Sequence, residues 1–243
     1  MNFAVINVSL SIVTNPIMKR LIYLIIVILS LYINDCFAQD SATISTNKKV
    51  RNRDHIILDI TFDNWLKVPA GITTKFRSPG ITIACVNDLI LGNSPLGFAF
   101  GLGFSSYNVH SNGTFEEMAF TDSTSAYTRF VPLATSYKKN KLSVNYVELP
   151  MEFRFRTKGK NTFRIYAGVK GGYLVNIHTK IVDDQGKRKY YDFKNINLYR
   201  YGLTSRIGYR KFNLTGFYAL NPLFKKGQGE KLTPYSIGFS YFY

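Results

Sequence analysis

Along residues 146–156, "YVELPMEFRFR", Val147, Leu149, Met151, Phe153 and Phe155 occupy odd positions, while Tyr146, Glu148, Glu152, Arg154 and Arg156 occupy even ones. A period of two puts the two sets on opposite faces of a β-strand, and no helical spacing reproduces it. Seven further stretches read the same way. Ile56–Phe62 sets Leu58, Ile60 and Phe62 against Asp59, Thr61 and, just beyond, Asp63. Gly80–Leu91 is less regular, and Leu96–Ser105 carries apolar residues at even positions and Gly or Ala at most odd ones. Thr162–Val182 opposes Phe163, Ile165, Val169, Tyr173, Val175 and Ile177 to Arg164, Lys170, Asn176, His178 and Lys180. Leu198–Tyr209 opposes Tyr199, Tyr201, Leu203 and Ile207 to Arg200, Thr204 and Arg206. Phe212–Leu220 and Tyr235–Tyr243 are rich in Tyr, Phe and Gly. The pattern predicts eight strands.

The connections sharpen the picture. After the second, fourth and sixth strands they are short, "GNSP" at 92–95, "KGKN" at 158–161 and "RK" at 210–211; after the others they are long, with 106–141 the longest. Register follows from parity: Leu91 should oppose Leu96, and Tyr209 should oppose Phe212. The fourth and fifth strands both turn odd residues to the apolar face, so their turn must hold an odd number of residues, three around Gly159 with a bulge.

One apolar and one charged face fit either a soluble sheet with a dry core or a barrel in lipid with a polar lumen. An Arg or Lys facing lipid at the midplane costs about 2–4 kcal/mol. Exposing Arg154, Arg164, Lys170, Arg200 and Arg206 together would exceed the stability of most domains. These cations are therefore expected inside, paired with Asp59, Asp63, Glu148 and Glu152 as a lumen plug, because eight strands enclose only enough space for side chains. Val147, Leu149, Phe153, Phe155, Ile165, Val169, Ile237 and Phe239 are expected to face lipid. The predicted fold class is all-β: an eight-stranded antiparallel up-and-down transmembrane β-barrel with short periplasmic turns and long extracellular loops. A soluble periplasmic lipocalin-like barrel, the alternative, would want an apolar interior.

Composition supports strands, with 15% aromatic residues from 19 Phe, 17 Tyr and one Trp. Near the N-terminus, "MKR" (Met18–Arg20) precedes the thirteen-residue run Leu21–Ile33 and then "CFAQD", the layout of a secretory signal too short to span a membrane as a helix. Met18 is the expected start and cleavage is expected after Ala38. The expected divisions are 1–38 extension and signal, 39–52 polar leader and 53–243 barrel. Cleavage leaves Cys85 without a disulfide partner. The formal charge is +16, and loss of Lys19, Arg20 and Asp35 leaves about +15. The basic residues fall in turns, loops or alternate strand positions, with no basic helix or zinc-finger spacing. That disfavours nucleic acid and favours outer-membrane lipid and lipopolysaccharide phosphates as partners.

The chain ends "YSIGFSYFY", similar to the terminal strand through which outer-membrane proteins engage the barrel-assembly machinery. With Glu148–Pro150 inside the opening motif and "YAGVKGGYLVN" at Tyr166–Asn176, residues 53–243 resemble the PorT-like outer-membrane β-barrels of Bacteroidetes. Membership implies an outer-membrane barrel without catalytic residues, and one branch of the family is associated with type IX secretion.

No catalytic or cofactor motif occurs, and His55, His110 and His178 lack metal-ligand spacing. One set resembles that of lipid-modifying barrels: His110 with Ser105 or Ser106 and Glu116 or Glu117. It supplies the enzyme alternative, a lipid A-modifying activity. Loop 106–141 is long enough to bind something, with Phe115, Met118, Phe120, Tyr127 and Phe130 as candidate contacts for lipid, polysaccharide or an envelope protein partner, or to fold over the barrel mouth. The reading is a non-catalytic outer-membrane barrel without cofactor or metal.

Overall fold

The computed structural model describes residues 55–92, 94–119, 126–159 and 161–243. Expectations for residues 1–52, including the signal and the polar leader, lie outside the described residues. Residues 53–243 form one compact unit. Its strands are β1 (Ile56–Leu66), β2 (Pro79–Ile90), β3 (Leu96–His110), β4 (Gly113–Ala119), β5 (Ala126–Pro132), β6 (Lys139–Arg156), β7 (Phe163–Asp183), β8 (Gly186–Tyr190), β9 (Tyr199–Tyr209), β10 (Phe212–Ala219) and β11 (Thr233–Phe242).

Nine strands pair antiparallel in the order β6-β3-β2-β1-β11-β10-β9-β7-β8, and β6 also pairs with β7, so the sheet closes on itself. Closure satisfies the backbone groups that an open edge would leave bare. β8 stands outside the ring, added to the far end of β7 from Thr179↔Tyr190 to Asp183↔Gly186. β4 and β5 form a separate hairpin. The first and last strands of the ring meet at the β1–β11 seam, where the His55 amide donates to the Tyr243 carbonyl at 2.8 Å.

The turns follow parity. The Leu91 amide donates to the Leu96 carbonyl at 3.1 Å, and Tyr209 opposes Phe212. Between β6 and β7 the Thr157 amide reaches the Phe163 carbonyl at 3.0 Å, which leaves residues 158–162 in the turn with Gly159 at φ +114°. The turn is odd, but it holds five residues rather than three, and the bulge is elsewhere. The register shifts where Asn145↔Asn176 gives way to Tyr146↔Leu174, so Val175 is the extra residue.

β3 and β6 run further than expected, which shrinks loop 106–141 to 111–138 and fills most of it with the β4–β5 hairpin. The cause is an inversion of the apolar face. In the lower wall, near the short turns, Phe104, Leu149, Met151 and Phe153 point outward and are exposed. Further up the same strands Tyr107, Val109, Leu142, Val144 and Tyr146 occupy inward positions and are buried. The strands continue while the apolar side switches from outside to inside.

Candidate functional site

Inward positions of the lower wall bring the chain's charges together. Arg206 on β9 donates from Nη2 to Asp59 at 2.9 Å and from Nε to Glu152 at 2.9 Å, with Thr215 (2.9 Å) and Ser240 (2.7 Å) taking Nη1. Glu152 also receives Arg154 at 2.9 Å. Glu148 holds Lys170 at 2.9 Å and, on its other oxygen, Arg200. Asp63 accepts from the Thr61 hydroxyl at 2.8 Å and the Asn108 amide at 2.9 Å, so its partners are dipoles. Arg164 donates to the Tyr166 hydroxyl at 3.2 Å. Asp88 and Arg156, missing from the expected set, pair at 2.6 Å, and Arg154 lies 3.6 Å from Asp88. Both were within reach of sequence: Arg156 shares the even face of its strand, and Asp88 alternates with Leu89.

The Arg200 guanidinium also lies 3.8 Å from the Tyr146 ring centroid, and the Lys170 ammonium 4.4 Å from that of Phe217. Five carboxylates (Asp59, Asp63, Asp88, Glu148, Glu152) thus face five arginines (Arg154, Arg156, Arg164, Arg200, Arg206) and Lys170, nearly balanced. That balance is what makes burial tolerable, since an ion left alone there would cost several kcal/mol. Glycine makes room: a Cβ at Gly168 would lie 2.1 Å from the Met151 carbonyl oxygen, and one at Gly101 2.0 Å from that of Cys85. A cavity of about 20 Å³ lined by Asp59, Asp63, Tyr107, Lys170, Arg200 and Arg206 is room for one water.

Above the charges sits an apolar lid. Trp65, Tyr107, Val109, Leu142, Val144, Leu223, Phe224 and Leu232 are buried together with Phe130, and Phe115 packs on them. Phe115 and Phe130 stack at 4.5 Å, and Trp65 meets Phe130 edge-on at 5.6 Å. The hairpin folds over the mouth, the second of the two expectations for the long loop, and this corrects Phe130 as a candidate contact: at 3% exposure it is core of the lid, and half-buried Phe115 packs against it. Met118 is exposed and Tyr127 half-buried, while Phe120 lies outside the described residues.

Three residues of the enzyme alternative, Ser105, Ser106 and Glu117, have partners of their own. Ser105 accepts Arg200 in the lumen at 3.2 Å, Ser106 Oγ accepts from Asn108 at 3.3 Å, Glu117 holds Lys194 at 2.8 Å, and Glu116 opposes Arg129. His110 ends β3 on the outward face. Its pKa is pushed down to about 4 by burial first and then by Lys139, Lys141 and Lys75. Among the described residues no group of His, Cys, Asp and Glu is arranged to hold a metal.

On the outer surface Leu149, Phe153, Phe155, Ile165, Val169, Ile237 and Phe239 are exposed, and Val147 partly so. Residues 46–225 match the family described as outer membrane protein beta-barrel domain. The chain belongs to that family. The location of this outer membrane β-barrel is accordingly the bacterial outer membrane, which replaces the periplasmic lipocalin-like alternative. No curated protein matches the sequence. Among solved structures, the crystal structure of Ail, the attachment invasion locus protein of Yersinia pestis, is similar at 11% identity with a TM-score of 0.32, covering 78% of this chain and 97% of that one.

Proposed function

We propose that this barrel is a non-catalytic outer-membrane protein that passes nothing through its lumen and acts through the surfaces at its long-connection end. The observation that carries this reading is the interior occupied by side chains, a paired charge network under an apolar lid, in which the cavity beside Asp59 and Arg206 is the size of one water. In this reading the eight ring strands β1, β2, β3, β6, β7, β9, β10 and β11 cross the membrane and β8 stands above it. The chain ends and short turns face the periplasm, and the connections carrying β4, β5 and β8 face outside. The export signal ends at Ala38, and the terminal strand β11 is read by the barrel-assembly machinery. A place among the PorT-like barrels of Bacteroidetes, and work beside an envelope or secretion complex, extend the same proposal and draw support from Glu148–Pro150 and the Gly/aromatic strands.

Fractionation followed by electrophoresis with and without boiling tests the barrel, and a planar bilayer tests the plug. A heat-modifiable outer-membrane band with no conductance steps is expected. Steady single-channel conductance would overturn the closed-lumen reading. Crosslinking from Met118 should then capture an envelope protein, and failure to capture one from intact cells would count against the interaction role.

A further inference from the structure

Above the lipid belt, the outward face of the wall carries one sign of charge in a straight row. His110 on β3 opposes Lys141 on β6, Lys141 opposes Lys180 on β7, and Lys180 opposes Lys189 on β8. One step further up, Lys139 and Lys187 flank Val182 in the same register. Lys75 joins the row through its backbone, its amide donating to the His110 carbonyl at 2.8 Å.

Like charges directly opposite on neighbouring strands destabilise a sheet, and nothing within the described residues neutralises this set. Asp184 is taken by Lys138 at 2.8 Å and Asp183 by Arg188, while Lys141 bonds only the neutral Asn108, at 2.8 Å. The strain registers locally: burial and then Lys139, Lys180 and Lys189 lower the pKa of Lys141, and Lys187 lowers that of Lys180. Such a row is tolerated when an anion bridges it.

Height selects the anion. Lys180 lies five residues beyond the exposed Val175, about 13 Å along the axis at about 3.3 Å per residue and a tilt of about 40°. A phospholipid head group reaches only about 5–8 Å past the hydrocarbon. We propose that Lys141, Lys180 and Lys189, with Lys139 and Lys187 above them, form a binding site for the phosphate groups of a phosphorylated glycolipid standing against the outer wall. The site rests on the proposed orientation, in which this end of the barrel lies in the outer leaflet.

The test takes the purified full-length protein in neutral detergent with four probes: a short-core lipopolysaccharide with phosphorylated sugars, the same lipid dephosphorylated, phosphatidylglycerol and inorganic phosphate. Binding is read by native mass spectrometry, and stability from the temperature at which the folded band disappears. The phosphorylated glycolipid should bind best and raise that temperature. In the variant Lys141→Gln/Lys180→Gln/Lys189→Gln, binding should weaken about 100-fold, at about fivefold per lysine. Without lipid, the variant should melt above wild type because the repulsion is gone.

Equal binding by the variant, or by the dephosphorylated lipid, would overturn the site. Stronger binding of phosphatidylglycerol would overturn the glycolipid assignment, and a full effect from inorganic phosphate would reduce the site to one for free anions. Orientation is read separately, by labelling Tyr190→Cys on intact cells with an impermeant reagent in a background without the native cysteines. Protection there together with lipid binding in detergent would refute the orientation, and with it the glycolipid as occupant, leaving the lysine row only an anion-binding surface.

Discussion

Replacing Arg206 by Met removes the cation that joins two carboxylates across the lumen while keeping much of its length. Asp59, at 3% exposure, would be left with the Ser240 hydroxyl, whereas Glu152 would keep Arg154 at 2.9 Å. The cost therefore falls mainly on Asp59. Stripping a buried ion of its partner costs about 3–5 kcal/mol, a factor of about 10²–10⁴ in the folded population. The assay is a urea titration of protein folded into neutral lipid vesicles, scored at each point by the heat-modifiable band. Arg206→Met should lower the midpoint by an amount equivalent to that range. Adding Asp59→Asn should restore more than half of the loss, since the orphaned charge is then gone. A single variant within about 1 kcal/mol of wild type, or a double variant whose losses simply add, would refute the argument that pairing makes these charges tolerable.

Gly168→Ala places a methyl 2.1 Å from the Met151 carbonyl oxygen and should cost about 1–3 kcal/mol in the same titration, with no change in surface labelling. Phe130→Ala removes a ring stacked on Phe115 and met edge-on by Trp65, and should cost about 3–5 kcal/mol and make strand β5 sensitive to added protease, whereas Met118→Ala should do neither. The His110 pKa is lowered to about 4 from an ordinary 6.5, so the unfolded chain takes up its proton first. Stability from this residue should therefore fall as the pH drops from about 6.5 towards 4, and His110→Gln should flatten that part of the melting-temperature profile.

Most of the lower wall was legible in the sequence because period two there carries a single meaning, apolar outside and charged inside. Asp59, Glu148, Glu152, Arg154, Arg200 and Arg206 can be put in the lumen from their parity alone, once the cost of a cation in lipid is weighed. The upper wall was not legible for the same reason. At Ser105–Ser106 on β3 and near Tyr146 on β6 the apolar residues change parity, and a reader following one face sees the strand stop. Contact and lid could not be told apart for Phe115 and Phe130, because an exposed aromatic and a lid aromatic look identical in a loop; only Trp65, Val109 and Leu142 underneath, all on inward positions, distinguish them. The row of lysines is not visible in the sequence, because Lys141, Lys180 and Lys189 become adjacent only once the Val175 bulge has set the upper register.

The β1–β11 seam also has a kinetic meaning. It pairs Ile57 with Phe242, residues from opposite ends of the barrel sequence, and Asp59, Arg206 and Ser240 meet across it. No shorter piece of the chain can make that contact, so the ring stays open until the last strand has arrived. Until then Asp59 and Arg206 remain hydrated. Their exchange of water for each other is deferred to the closing step, a contact of high sequence separation and therefore a slow one. The charges of the lumen thus work as a latch: they favour the chain in water before closure and hold the ring shut after it.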